Sequence, residues 1–491
     1  MNLPSAFAAA AARHPDKPAL YHGQDEFTYR QLHDQTAWLA HRLVSDFEIR
    51  PGDRVGVWLK NCPQFVPALF GSLQAGAVVA PINNFLKPDE VHYILQDADV
   101  RVLITDGAQP EALEQLQSLR PNLRIFPIEE IPDQPERIAP PACNRSESDL
   151  AILIYTSGTT GRPKGAMLSH GNLLHNLESC RKVLEAADMD RFVVLLPMFH
   201  SFMLTVCVLL PLIIGGSLVV IKSLHPPKNI VQEIVARRAT ILPAVPQFFR
   251  TLTQATLPPD LPLRLCISGG APLPGEILKE FTAKYPFPLL EGYGLSEASP
   301  VVSFNPIQGP WKAGSIGVPV HDVEVSIQDD SGNLLPPQQT GEVCVWGGNV
   351  MQGYWNQPEE PAKVLRNGWL LTGDIGHRDE DGYFFITDRK KDMLLVNGIN
   401  VYPREIEEVI YRFPGIREAA VIGQPDPRKG EQPLAFVAVN EGAAVDEKAL
   451  LHFVREHLAD YKVPRRAIVL PALPRNATGK ILKTALRDLP T

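Results

Sequence analysis

Cysteine is scarce and poorly spaced for most of what cysteine does. Six are scattered through 491 residues, at Cys62, Cys143, Cys180, Cys207, Cys266 and Cys344. No pair has CxxC spacing and no Cys/His group has zinc spacing, so disulfide scaffolds and zinc modules are excluded. A reduced, cytoplasmic protein is the expectation. Positive charge is not in excess either. Lys and Arg number 47 against 55 Asp and Glu, a formal net charge of −8, and no nucleic-acid partner is expected. The opening residues, Met1-Asn2-Leu3-Pro4-Ser5-Ala6-Phe7, have no basic region ahead of a long apolar core and do not form a secretory signal. Long apolar runs are nearly absent. One, Leu204 to Ile221, has 18 residues without a charge, close to bilayer length. Pro211 and the pair Gly215-Gly216 interrupt it. It reads as a buried helix ending near Pro211, a turn, and a strand from Ser217 to Ile221. No transmembrane segment is expected, and peripheral contact with a membrane stays open. There is no internal repeat and no low-complexity tract.

What is present is a long chain of ordinary globular composition, 45% hydrophobic and 21% charged, which points to more than one domain. The first half alternates apolar strands with helical patterns. Strands are predicted at Val55–Leu59, Val78–Ile82, Val100–Thr105 and Leu150–Tyr155, and helices at Pro63–Ala75 and Pro88–Ala98. This is α/β organisation with largely parallel pairing. Pro127 to Pro141 reads as a surface loop. From Gly314 short alternating strands such as Val323–Gln328 and Gly341–Trp346 predict a β-rich subdomain. Past the charged run Asp388-Arg389-Lys390-Lys391-Asp392 the pattern is helix Pro403–Tyr411, strands Glu418–Ile422 and Leu434–Val439, and helix Lys448–Leu458. The expected fold is α/β: a large N-terminal domain, 1–390, and a small, mobile α+β C-terminal domain, 391–491.

Directly after the strand Leu150–Tyr155 stands Thr156-Ser157-Gly158-Thr159-Thr160-Gly161-Arg162-Pro163-Lys164-Gly165. Glycines let the backbone approach a ligand closely, and hydroxyls and N–H groups suit phosphate oxygens. No Gly-Lys-Ser/Thr closes the loop, so it is not a Walker A sequence. On spacing alone a phosphate cradle and a plain Gly/Thr-rich hairpin turn both fit.

The string Tyr155 to Gly165 closely resembles the signature of the adenylate-forming superfamily, which includes acyl-CoA synthetases, adenylation domains of peptide synthetases and luciferases. Five further segments resemble its motifs, in its order: Tyr293-Gly294-Leu295-Ser296-Glu297, Thr372-Gly373-Asp374, Asp388 to Asp392, Asn400-Val401-Tyr402-Pro403-Arg404-Glu405-Ile406-Glu407, and Pro474-Arg475-Asn476-Ala477-Thr478-Gly479-Lys480. Together they span nearly the whole chain. The resemblance implies an ATP-dependent ligase, most like a fatty-acid–CoA ligase. It adenylates a carboxylic acid and passes the acyl group to coenzyme A, with AMP and pyrophosphate released.

By the same resemblance Glu297 is the magnesium ligand, beside Thr156 at the phosphates. One carboxylate suffices because Mg²⁺ retains waters and binds phosphate oxygens. Ser157, Gly158, Thr159, Thr160, Gly161 and Lys164 complete the phosphate loop. Gly269, Gly270, Ala271 and Pro272 line one adenine face, and Glu291, Gly292, Tyr293 and Gly294 cover the other with Tyr293 stacked, followed by Leu295 and Ser296. Asp374 takes the ribose hydroxyls and Arg389 helps fix the ribose. Lys480 is the catalytic cation, offsetting repulsion between carboxylate and α-phosphate. Lys391 is the hinge pivot, and Gly398 marks the coenzyme A side once the small domain has turned. Taken alone, Glu297 fits a solvated helix-end charge, Asp374 a turn residue, Tyr293 a core ring, the 388–392 run a plain charged linker and Lys480 an exposed tail lysine.

Pro197-Met198-Phe199-His200 falls beside the acyl carboxylate in the resembling family. His200 stands where amino-acid-activating members carry an Asp, which disfavours α-amino acids; by its position it is expected to gate the acyl site and to be catalytic with Lys480, Thr156 and Glu297, although taken alone it fits a core histidine. The expected acyl pocket is His200, Phe202, Met203, Val245, Phe248, Val301 and Val302. It is apolar and holds no evident cation, which favours medium- or long-chain fatty acids, then aryl acids, over dicarboxylates. The expected partners are a carboxylic acid and coenzyme A, with ATP and Mg²⁺. No carrier domain follows before Thr491, so a free-standing ligase is expected. A loader of a separate acyl carrier protein and a non-catalytic AMP-binding module remain as alternatives.

Overall fold

The computed structural model describes the chain except residues 158–161, 225, 227, 256, 257, 259, 260, 358, 360–363, 477, 478, 490 and 491, and the Ser157 side chain. Four sheets organise it. The first has six strands in the order Arg124–Pro127, Val100–Thr105, Arg54–Trp58, Val78–Pro81, Leu150–Ser157, Pro163–Ser169. All pair in parallel except the last two. The near-continuous apolar runs of these strands follow from burial on both faces. Val55, Val57, Val79, Ala80, Val102 and Ile104 are at or near 0% exposure.

The second sheet has nine strands. Its parallel centre runs through Ser217–Val220, Arg191–Val194, Ile241–Ala244, Leu265–Ser268 and Leu289–Gly294. Antiparallel strands close both edges. The third is a five-stranded antiparallel sheet from Val323–Gln328 to Phe384–Arg389, the β-rich subdomain. The fourth lies wholly between Leu394 and Val469, with its own apolar cores around Ile406, Val421 and Val437 and around Phe436 and Leu486.

Two elements depart from the sequence pattern. The apolar run does not break at Pro211. A π-helical stretch, Met203–Leu209, with Leu210 N–H reaching back five residues to Thr205 O, passes straight into helix Leu210–Ile214. The widened ladder relieves the clash between a proline ring and the carbonyl four residues back. The helix stops instead at Gly215, φ 92°, a left-handed cap that glycine supplies without Cβ strain. In the C-terminal sheet, Ile416–Asp426 and Gly430–Val439 are longer than their apolar cores and pair as far as Asp426 and Gly430. Polar Gln424 and Asp426 hid those ends from a hydropathy reading.

The carboxyl ends of parallel strands in both large sheets converge. Pro81, Thr156, Ile267 and Gly292 all border one cavity of about 900 Å³. Loops after such strand ends are where open α/β sheets place ligands.

Candidate active site

The hairpin Leu150–Ser157/Pro163–Ser169 brings Thr156 and Lys164 to the cavity wall. Tyr155 braces it. Its hydroxyl donates to Asp97 Oδ2 at 2.6 Å, and its ring lies over Gly165, where a Cβ would come within 3.1 Å. Lys164 is buried and sits 5.5 Å from the Tyr354 ring centroid. Gly158, Thr159, Thr160 and Gly161, with the side chain of Ser157, lie outside the described residues.

Across from the hairpin, Glu297 Oε1 accepts from Tyr354 OH at 2.8 Å and from Thr156 Oγ1 at 3.4 Å. Among the described residues no group of three or more His, Cys, Asp or Glu could hold a metal alone. One carboxylate beside hydroxyls suits a hard cation that brings phosphate oxygens and water as its other ligands.

The loop after Leu265–Ser268 turns at Gly270, φ 77°. Gly269 and Gly270 line the cavity, and so do Gly292, Tyr293, Gly294, Leu295 and Ser296. Ala271 and Pro272 do not. Glu291 faces away as well: it is 6% exposed and its Oε1 accepts from Leu273 N at 3.0 Å, so it pins the glycine loop. Burial pushes its carboxyl up to about 7 against the pull of Arg404.

Asp374 is 2% exposed, tucked behind Tyr293, Gly373 and Arg389, which line the cavity. Tyr293 OH donates to its Oδ2 at 2.5 Å and Arg389 Nε lies 2.9 Å from Oδ1. Arg389 is held above its ordinary value mainly by that carboxylate. Tyr293 is thus anchored by its hydroxyl while its ring borders the cavity.

The loop carrying Lys480 reaches the same cavity, which Asn476, Lys480 and Leu482 all line. Asn476 shapes the turn: its N–H donates to Lys480 O and its Oδ1 accepts from Lys480 N, both at 2.9 Å. Ala477 and Thr478 lie outside the described residues. Burial pushes the Lys480 ammonium down to about 8, with the Arg389 cation adding to the effect and Asp374 opposing it. Burial, then Lys480, lowers His200 to about 4, so its imidazole is neutral at pH 7. Lys391 borders the cavity, whereas Gly398 is exposed in the turn of the hairpin Leu394–Val396/Ile399–Val401 and does not.

The expected acyl residues divide. His200, Phe202 and Val301 line the cavity. Met203 and Val302 do not: both are at 0% exposure inside the core. Val302 follows Val301 on a strand and so points to the opposite face. Val245 and Phe248 also stand outside the lining; Val245 packs near Gly270 and Gly479. Apolar side chains that do line the cavity include Phe202, Val206, Cys180, Val183, Leu184, Ile267 and Phe304. Cys180, Val183 and Leu184 follow i, i+3, i+4 spacing, a signal the sequence did carry. Tyr354 carried none, since its partner Glu297 is 57 residues away.

A family model for AMP-binding enzymes matches residues 7–355, and one for the AMP-binding enzyme C-terminal domain matches 405–480. The chain belongs to the AMP-binding enzyme family. Within that family it is 36% identical to a long-chain-fatty-acid–CoA ligase of Bacillus subtilis (strain 168), covering 99% of this chain and 94% of that one. It is 38% identical to a feruloyl-CoA synthase of Amycolatopsis sp, covering 96% of each. This AMP-binding enzyme is an AMP-forming acyl-CoA ligase. Its fold superposes on ATP-bound MatB from Rhodopseudomonas palustris with a TM-score of 0.90 at 32% identity, covering 99% of each chain. Against the apo form of that protein, at the same identity and coverage, the TM-score is 0.78. The fold is thus more similar to the ATP-bound form of that protein than to its apo form. No helix among the described residues is long and apolar enough to cross a membrane.

Proposed function

We propose that this ligase activates a hydrophobic monocarboxylic acid, a medium- or long-chain fatty acid first and an aryl acid second, and transfers it to coenzyme A. The carrying observation is the acyl end of the cavity. Cys180, Val183, Leu184, Val206, Ile267, Val301 and Phe304 bring no charge to it, and the lysine that acts on neighbouring His200 is Lys480, the cation this reading assigns to adenylation. A second carboxylate buried among them would go unpaired, at a cost of several kcal/mol. The neutral His200 supplies no cation for one. The aryl reading is supported by the resemblance to feruloyl-CoA synthase, as strong as that to the fatty-acid ligase.

In this reading ATP lies between the glycine loops, with Asp374 and Arg389 on the ribose. Thr156, Lys164 and the 158–161 loop hold the phosphates, and Glu297 holds Mg²⁺, which supplies charge neutralisation there. Lys480 stands between the acyl carboxylate and the α-phosphate and stabilises the charge that builds as the P–O bond forms and pyrophosphate departs. Residues 1–390 and 391–491 act as two bodies pivoting at Lys391, and the turn at Gly398 faces the thiol in the second half-reaction. A reducing compartment such as the cytoplasm suits six unpaired thiols.

The test is a pyrophosphate-release panel. Dodecanoate and palmitate should be turned over, ferulate should come next, and glycine and malonate should be inert. Strong turnover of malonate would overturn the argument from the uncharged wall. Coenzyme A should be the better acceptor than an acyl carrier protein.

A further inference from the structure

One cation of the large domain is buried outside the cavity lining and spent on the small domain. Arg250, on helix Pro246–Gln254, is 7% exposed, and its Nη2 donates to the Ile416 carbonyl at 2.8 Å. Its Nε is buried with no partner among the described residues. Ile416 opens the strand Ile416–Asp426 at a β-bulge, where the ladder to Gly430–Val439 shifts between Ile416 and Glu418. A bulge bends its strand and re-aims the neighbouring side chains. Here Glu418, itself 5% exposed, turns to Arg475, Oε1 to Nη2 at 3.0 Å, and its Oε2 accepts from Leu473 N at 3.3 Å. Arg475 Nη1 in turn donates to Gly479 O, next to Lys480. Val245, which caps the Arg250 helix, lies 3.5 Å from the point where a Cβ on Gly479 would stand.

We infer that Arg250 is a positioning residue for adenylation. It fastens the bulge at Ile416, and through Glu418 and Arg475 the bulge holds the Lys480 loop in the cavity. The inference rests on the proposed role of Lys480. Arg250 does not line the cavity and touches no reacting atom. Its bond exists only while the small domain is docked as seen here. Undocking would give this bond up, so the bond biases the enzyme toward the docked state.

The experiment measures two half-reactions in Arg250→Met and Glu418→Gln: acid-dependent pyrophosphate–ATP exchange, and thioester formation from supplied dodecanoyl-adenylate and coenzyme A. In both variants exchange should fall by about 2- to 30-fold, with KM for ATP and acid nearly unchanged, and thioester formation should hold or rise. Arg250→Lys should restore part of the exchange rate. Equal loss of both half-reactions, or no loss in exchange, would overturn the inference. If Arg250→Met does not fold, Glu418→Gln carries the decision. Lys480→Ala runs alongside. If it spares exchange, the reading of Lys480 has failed; if it abolishes exchange while both variants match the parent, only the role of Arg250 has failed.

Discussion

The phenol of Tyr293 donates to the carboxylate of Asp374 at 2.5 Å, joining the residue proposed for the base side of the nucleotide site to the one proposed for the sugar side. Arg389 holds the other oxygen. Tyr293→Phe keeps the ring and removes one charge-assisted bond, so kcat/KM for ATP should fall roughly 10-fold. Asp374→Asn takes the anion away from both the Tyr293 hydroxyl and the part-exposed Arg389 guanidinium, two charge-assisted contacts rather than one, and should fall further, by about 100-fold. Steady-state kinetics with ATP varied at saturating acid would show this. A larger effect for Tyr293→Phe than for Asp374→Asn contradicts the assignment.

Glu297→Gln keeps the shape and the Tyr354 and Thr156 contacts but weakens a hard metal ligand. The variant should need several-fold more Mg²⁺ for half-maximal pyrophosphate release, with KM for the acid unchanged. Kinetics equal to the parent at every Mg²⁺ concentration would remove Glu297 from the metal site.

In the proposed adenylation step Lys480 acts as a cation, and burial brings it down to about 8. Below that pH the ammonium is present; as pH rises through it the charge is lost. Adenylation kcat/KM should therefore fall above about pH 8, while kcat holds to higher pH, because bound triphosphate favours the charged form. Lys480→Ala should abolish this alkaline limb and lower adenylation by roughly 10²–10³, with thioester formation from a supplied acyl-adenylate nearly intact. Lys391→Pro should reverse the pattern, since a fixed φ hinders a pivot. Two folded variants that each lose both half-reactions equally would rule out the pivot.

Gly269→Ala would place a methyl 3.2 Å from the Phe202 ring. The ring must yield into the acyl end. Apparent affinity should fall for the bulkier acids of the panel and change little for the shortest, at constant KM for ATP. A uniform drop across acids would mean that Phe202 does not border the acyl chain.

Much of this was legible in the sequence, because the chemistry sits on short contiguous strings. The Thr156, Tyr293, Asp374 and Lys480 segments each announced themselves, and all four meet at one cavity, with Asp374 buried just behind its lining. Strands buried on both faces also read clearly. The acyl wall did not. Val206 and Met203 are alike in chemistry, and only helix register decides that the first faces the cavity and the second the core. Glu291 stands beside two cavity glycines yet turns inward to Leu273 N, a choice set by strand alternation and loop geometry. Tyr354 meets Glu297 across 57 residues, a pairing that only the fold creates.

The π-helical stretch Met203–Leu209 gives this register an unusual origin. Removing one residue there would let an ordinary helix form and would turn Phe202, with all that precedes it, by about 100° relative to the segment beyond. A different set of side chains would then look at the acyl tail, although not one had been substituted. Selectivity in such an enzyme has a counting variable as well as a chemical one. Two ligases with the same composition along this helix, differing by a single insertion, would sort acids differently.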